Sequence, residues 1–338
     1  MNSPIITSYP VHANVLSIID KNEKSLNWFI NHYIQLFARS NEPEECYVDF
    51  YAPNAWRANP FIDYQKIDVK YVDELWFDIK EFIINNINEG YYIYMYLNGY
   101  YISNFWTHNK FDYMHDTLIF GYDLEKKIFK TADFYGQNTK YQFNEVRFDE
   151  IKKAYKSADL SNMVDLLEGI ILMKYNDYEK YDLDIDLIRK TLEEYLCCMP
   201  SNLSYTFGYR KDIYLNKSDF AFGLNIYDVL IEYEDILIKR LEKKESITRY
   251  MRGFNVLKDH KILMLKRLNI INKKFKNIKF NKIINDFHNM LNYNKIMEFN
   301  ILKSYVQMNR EDFIKVKSNL CKLKKMDEKF TEDLINIL

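Results

Sequence analysis

The chain has 338 residues, of which 48% are hydrophobic and 28% are charged. This composition is typical of a protein with a packed core and excludes an intrinsically disordered chain. The net charge is −1, and no uncharged apolar run approaches the roughly 20 residues that a membrane span needs. We therefore expect a cytoplasmic protein that does not enter the membrane.

Motifs for bound groups are missing from the sequence. Four scattered cysteines, Cys46, Cys197, Cys198 and Cys321, do not form a disulfide framework or a zinc site of paired cysteines. Neither GxGxxG nor GxxxxGK[ST] occurs, which excludes the common loops that hold nucleotide phosphates. We expect no metal and no cofactor bound by the chain itself.

The first 90 residues predict helices joined by one long loop. Apolar residues at spacings of three and four predict two helices between Asn14 and Ser40, with a break near residues 20–23. A loop rich in proline and asparagine follows over residues 41–60. A further helix is predicted over 71–90, where Gly90 suits a helix C-terminus.

The next part of the chain predicts an antiparallel sheet. Aromatic and β-branched residues predict strands at "YYIYMYL", "YYISNFW", "DTLIFGYD", "KIFKTADFY" and "YQFNEVRF", followed by the helix "DEIKKAYKS" and the strand "GIILMKY". From Asp184 onward nearly every segment has the helical period. We expect an α+β fold, with a core over residues 1–175 and a helical region over 176–338 packed on it.

One histidine and one aspartate stand out in the predicted sheet. His115 begins one strand, Asp133 ends the next, and the turn near residues 123–126 folds the second strand back along the first. A carboxylate beside one imidazole nitrogen fixes the tautomer and leaves the other nitrogen to move a proton. The pair is therefore a candidate catalytic site. A structural polar edge is the alternative, and Asp116 is a competing partner for the histidine.

A family resemblance involves these residues. The segments "EGYYIYMYLNGYYI", "HDTLIFGYD", "ADFYG" and "FDEIKKAY" resemble the butirosin biosynthesis protein H family, which is related to papain-fold cysteine peptidases. The resemblance covers roughly residues 18–155 and extends weakly to "DHKILMLKR". It implies a papain-like core in which a cysteine attacks a carrier-bound thioester and an amine resolves the acyl-enzyme. On this resemblance His115 is the general base and Asp133 orients it.

The sequence departs from the family at the nucleophile. The family has a cysteine at the start of the first core helix, whereas "YPVHANVLSII" has none, and His12 and Ser17 are its nearest polar side chains. Without that thiol there is no thiolate activated at a helix N-terminus. Three alternatives stay open: Cys46 acts as a substitute nucleophile, His115 deprotonates the acceptor amine directly, or the chain is a non-catalytic member.

The charge is unevenly distributed along the chain. Residues 258–326 hold 17 Lys and Arg against 5 Asp and Glu. Because these cations alternate with apolar residues at helical spacing, they indicate a solvated helix face or a surface for an acidic protein, and nucleic acid is the weakest alternative. The resemblance favours an acidic acyl or peptidyl carrier protein, whose phosphopantetheine arm delivers the acyl group.

The function expected from the resemblance is amide-forming acyl transfer in secondary metabolism. The acyl group would pass from a carrier thioester to a small amine, and an aromatic wall of Tyr92, Tyr94, Tyr96 and Tyr101 is a candidate acyl tunnel. A degenerate family member that acts as a carrier-binding or scaffold protein is the alternative, and a leader peptidase is a third and weaker one. The expected protein has no membrane or nucleic-acid partner.

Overall fold

The computed structural model describes residues 1, 3–19, 23–76, 78–136, 140–161, 169–177, 180–201, 217–248, 250–275 and 278–338. The chain forms two compact units. The first comprises residues 1–25 and 54–180, and the second comprises residues 26–53 and 181–338. Within the described ranges, no helix has both the length and the apolar character that crossing a membrane requires.

A six-stranded antiparallel sheet forms the centre of the first unit. Its strands are β3 (Ile62–Ile67), β4 (Tyr92–Asn98), β5 (Met114–Asp123), β6 (Ile128–Tyr135), β7 (Lys140–Arg147) and β8 (Ile170–Tyr175). Their order across the sheet is β3-β8-β4-β5-β6-β7. The strands β4 to β7 form a meander, since each pairs antiparallel with the next strand along the chain.

One face of this sheet, here called face A, packs on three helices. They are α3 (Val69–Leu75), α4 (Ile79–Asn88) and α5 (Phe148–Lys156). Met95, Leu97 and Ile119 from the strands share one core with Phe82 and Ile151 from the helices. Because side chains alternate along a strand, residues 93, 95 and 97 of β4 project into this core, while a bulge between Ile119 and Gly121 changes the alternation in β5.

The opposite face, here called face B, packs on α1 (Pro10–Ile19). Tyr141 of β7 pairs with Phe134 of β6, which places both side chains on face B. The Tyr141 hydroxyl donates to Asn14 Oδ1 over 2.7 Å and lies 3.1 Å from Ser17 Oγ. These polar contacts join the middle of α1 to the sheet.

The second unit combines a small sheet with long helices. Its strands β1 (Leu36–Arg39), β2 (Val48–Phe50) and β9 (Phe220–Phe222) form an antiparallel sheet in the order β2-β1-β9. Its helices include α6 (Ile185–Leu196), α7 (Ile226–Glu242), α8 (Arg252–Phe275), α9 (Ile278–Gln307) and α10 (Arg310–Ile335). Of helix α2 (Glu23–His32), residues 23–25 group with the first unit and residues 26–32 with the second.

The predicted α+β class with antiparallel strands and a helical C-terminal region is confirmed. The predicted division at residue 175 differs from the observed units in two segments, residues 26–53 and residues 176–180. Residues 26–53 group with the second unit because β1 pairs with β9, whose residues lie 181–185 positions further along the chain.

Three element predictions are wrong. The segment "YYISNFW" is not a strand: a short 3-10 helix covers Gly99–Tyr101, and turns follow it. The helix predicted over residues 71–90 is two helices, since Asp78 starts α4 by accepting a hydrogen bond from Lys80 N–H. The second predicted N-terminal helix ends at His32, and residues 36–39 form β1 instead.

Candidate functional site

The register of β5 and β6 brings His115 close to Asp133. Leu118 pairs with Ala132, so continuing the pairing by one residue places Thr117 opposite Asp133. His115 lies two residues before Thr117 and projects from the same face. Since His115 pairs with Leu97, a member of the core on face A, both residues of the candidate pair belong to face A.

The two side chains are in direct contact. His115 Nδ1 lies 2.7 Å from Asp133 Oδ1, and the residue exposures are 8% for His115 and 0% for Asp133. The Asp133 carboxylate also accepts the Phe134 N–H at Oδ1 over 2.6 Å and the Thr117 hydroxyl at Oδ2. A carboxylate removed from water needs such donors, because burying it without them is costly. The structure therefore brings together both predicted site residues.

Asp116, the competing partner, points to face B. Its Oδ1 is 3.9 Å from His115 Nδ1, and its Oδ2 accepts the hydroxyl of Tyr94. Burial raises the pKa of Asp116, while the neighbouring His115 and the Tyr94 hydrogen bond act in the opposite direction. Burial also raises the pKa of Tyr94 well above its usual value, which keeps this hydroxyl a donor. The shorter contact therefore favours Asp133 as the partner of His115.

Aromatic rings surround the imidazole. Tyr113 stacks on His115 with the ring centroids 5.4 Å apart, and the Phe105 and Phe134 centroids are 5.8 and 6.1 Å away. Phe105 lies in the connection between β4 and β5, the segment wrongly predicted as a strand. The aromatic contacts restrict the ring, so its orientation is set by packing as well as by the carboxylate.

The position that holds the nucleophile in the family has no thiol. Pro10 begins α1, and the residues beside it are Tyr9, which is buried, and Val11. His12 and Ser17, two polar residues of α1, are both buried. Ser17 donates its hydroxyl to Ala13 O over 2.8 Å, a bond within the helix.

Cys46, the substitute nucleophile, is completely buried in the second unit. It follows a 3-10 helix, and its φ of 50° places it in the left-handed region. Helix α8 packs closely on it, since a Cβ added to Gly253 would lie 3.0 Å from Cys46 Sγ. A thiol enclosed in this way cannot reach a carrier-bound thioester without local opening, so the structure disfavours the Cys46 alternative.

The four tyrosines of the suggested acyl tunnel do not share one wall. Tyr92, Tyr94 and Tyr96 alternate with the core residues of β4 and therefore lie on face B. Tyr101 packs against the core on face A. Tyr94 is fully buried, and its hydroxyl is bonded to Asp116. The tunnel prediction is wrong in this respect because the turn at Gly99 takes the chain away from β4.

Thr117 is a residue of the site that the sequence analysis missed. Its signal was the period of two along β5, which places it on the same face as His115.

Metal ions in proteins bind to His, Cys, Asp and Glu side chains. Among the residues that the structure describes, no three His, Cys, Asp or Glu side chains are arranged to hold an ion.

No protein-family model matches this chain, and neither does any curated protein.

Proposed function

We propose that this protein forms amides by acyl transfer, with His115 as the general base and Asp133 as the residue that orients it. The observation that carries the proposal is the 2.7 Å contact between His115 Nδ1 and the fully buried Asp133 carboxylate. The arrangement supplies the base and its orienting group, two parts of the machinery of papain-like acyl transfer. The proposal includes a papain-like core in the first unit, residues 1–25 and 54–180, and a cytoplasmic location.

The proposed reaction does not need an enzyme thiol. The acceptor amine attacks the thioester carbonyl, a C–N bond forms, and the C–S bond breaks. His115 takes the proton from the amine nitrogen at Nε2 and returns it to the leaving thiolate of the phosphopantetheine arm. Asp133 stabilises the imidazolium that exists between these two transfers. The products are an amide and the free thiol of the carrier protein.

The second candidate is a carrier-binding or scaffold protein without catalysis. Two observations favour it: α1 begins without a thiol, and only 8% of His115 is exposed. In this case the His115–Asp133 pair stabilises the end of the sheet. Both candidates share the same carrier partner, so binding alone does not separate them.

A transfer assay separates the candidates. The intact protein is mixed with an acyl-pantetheine thioester and a panel of small amines, and amide formation is followed by mass spectrometry. We expect His115→Gln to lower the rate by roughly 10²- to 10⁴-fold, the usual contribution of a general base. Asp133→Asn should lower it as well, whereas His108→Gln, which changes another histidine of the same unit, should not.

Carrier binding and intact mass complete the test. Wild-type carrier affinity in His115→Gln, together with the lost rate, supports catalysis. No amide from the wild-type chain with any donor, or an unchanged rate in His115→Gln, would leave only the scaffold. An acyl mass retained on the protein would contradict direct transfer and reveal a nucleophile.

A further inference from the structure

The two carboxylate oxygens of Asp133 contact different partners. Oδ1 meets His115 Nδ1 and the Phe134 N–H, while Oδ2 accepts the hydroxyl of Thr117. Among the residues that the structure describes, this hydroxyl donates to Oδ2. A carboxylate can rotate about its terminal bond, since this torsion has broad minima. A donor fixed at Oδ2, together with the Phe134 N–H at Oδ1, therefore sets where Oδ1 points.

Thr117 is well placed to fix that rotation. It is completely buried on β5, two residues after His115 and opposite Asp133 in the register. Thr117 also pairs with Met95 of β4, so its backbone is held between two strands. As a β-branched residue it has few rotamers, which holds the hydroxyl in one direction.

We propose that Thr117 is a positioning residue of the site: its hydroxyl holds the Asp133 carboxylate so that Oδ1 faces Nδ1 of His115. The inference rests on the proposed function, in which His115 transfers protons through Nε2. Without the hydroxyl the carboxylate keeps the Phe134 N–H at Oδ1 but is free to rotate about that bond, which weakens its contact with the imidazole. The neutral ring then shifts from the Nδ1–H tautomer toward the Nε2–H tautomer, which cannot accept a proton at Nε2.

The same sheet face provides a matched control. Thr131 lies on β6, is completely buried, and its hydroxyl lies 2.6 Å from the Tyr135 hydroxyl. Replacing Thr131 by valine removes a buried hydroxyl from the same face and leaves the hydrogen bonds of the carboxylate intact. Thr117→Val and Thr131→Val thus make the same chemical change with different consequences for Asp133.

The first measurement does not need activity. The six histidines are labelled with 15N, and the ring signals of His115 are assigned with His115→Gln. We expect Thr117→Val to move the ring nitrogens toward the Nε2–H tautomer, while Thr117→Ser, which retains the hydroxyl, and Thr131→Val keep the wild-type pattern. Thr117→Ala provides the same test without adding a methyl group next to Oδ2, in case the valine variant does not fold.

The second measurement is the rate of amide formation. We expect a rate about tenfold to a hundredfold lower in Thr117→Val, the range typical of residues that orient a reactive group, and near recovery in Thr117→Ser. Wild-type ring signals in both Thr117→Val and Thr117→Ala, or equal shifts in Thr131→Val, would overturn the inference. A wild-type chain without activity whose ring signals still respond to Thr117→Val would refute the proposed function and leave the positioning role standing.

Discussion

His260 shows how strongly burial acts on a single residue of the second unit. Its ring is completely buried and stacks on Tyr195, and Nε2 lies 2.8 Å from Ile34 O. This contact is a hydrogen bond only if Nε2 carries a proton. Burial lowers the pKa of His260 to about 3, and the neighbouring Lys261 acts in the same direction. The folded chain therefore keeps this imidazole neutral where an unfolded chain would protonate it.

The shifted pKa of His260 predicts acid sensitivity. Between pH 6.5 and about 3 the unfolded state binds a proton that the folded state does not, so the free energy of unfolding falls as the pH falls. At pH 4.5 the loss from this group is roughly 2–3 kcal/mol relative to pH 7.5. We expect His260→Gln to lose less stability between these two pH values than the wild type, measured by urea unfolding.

The comparison of variants isolates His260 from other groups. His32, whose pKa burial lowers to about 4, contributes in the same window and is present in every variant. His288→Gln, which removes an exposed imidazole, should retain the full acid sensitivity. An equal loss in His260→Gln and the wild type would show that His260 is protonated in the folded state.

Contacts between individual residues were predictable where the two residues lie at the ends of strands adjacent in sequence. His115 and Asp133 were found because a hairpin brings the ends of adjacent strands together. The buried pair of Lys261 and Asp327 was not found, since these residues lie 66 positions apart on different helices. The orienting role of Thr117 also needs the register between strands, which a single sequence does not specify.

At the scale of elements, three ion pairs join α7 and α10. Asp228 pairs with Lys324, Asp235 with Lys317, and Glu242 with Arg310, at distances of 2.6–2.7 Å. Along each helix the paired residues are seven positions apart, and their order reverses between the helices. The helices are therefore antiparallel, and a shift of one helical turn would break all three pairs. We call this set the α7–α10 ladder.

The α7–α10 ladder predicts a charge-swap result. Asp235→Lys should lower the free energy of unfolding by about 1 kcal/mol, because it places two cations side by side. Lys317→Asp should do the same with two anions, and the double variant should recover most of the loss. Each effect is small because the side chains are about one third exposed, at 39% for Asp235 and 36% for Lys317.

Salt provides the control for the charge swap. In 1 M NaCl the differences among the four proteins should shrink, since screening weakens exposed pairs. Swapping Lys70 and Glu74, a more exposed pair 3.9 Å apart on α3, should change stability little at any salt concentration. A double variant as unstable as either single variant would show that the ladder does not set the helix register.

Elements with a local signal were predictable, and those without one were not. The strands β4 to β8 are rich in aromatic and aliphatic residues, so each was found from its own segment. The strands β1, β2 and β9 are three or four residues long, and β9 joins the others only through tertiary pairing. The connection containing Phe105 has strand-like composition, but Asn98 Oδ1 accepts Tyr100 N–H and Tyr113 N–H, which closes a long loop instead.

At the scale of the whole molecule, the α7–α10 ladder neutralises part of the positive charge of residues 258–326. Residues 258–326 hold 17 cations, and three of them pair with acids of α7, which lies outside that segment. Lys258 and Lys303 pair with acids inside it. Part of the charge excess is therefore neutralised within the protein. An acidic partner would meet the exposed cations of this segment, which include Lys282 and Lys295 on α9 and Lys325 on α10.

This remaining charge predicts how an acidic carrier protein would bind. Opposite charges speed encounter and are screened by salt, so carrier affinity should fall steeply between 50 and 500 mM NaCl, concentrations on the order of those that screen surface charges. The triple variant Lys282→Gln, Lys295→Gln and Lys325→Gln should bind more weakly and show a flatter salt dependence, measured by titration calorimetry. Removing the same charge from the first unit with Lys70→Gln, Lys126→Gln and Lys130→Gln should leave both unchanged. Equal weakening in the two triple variants would mean that net charge, rather than the exposed cations of α9 and α10, attracts the carrier, and salt-independent binding would exclude an electrostatic surface altogether.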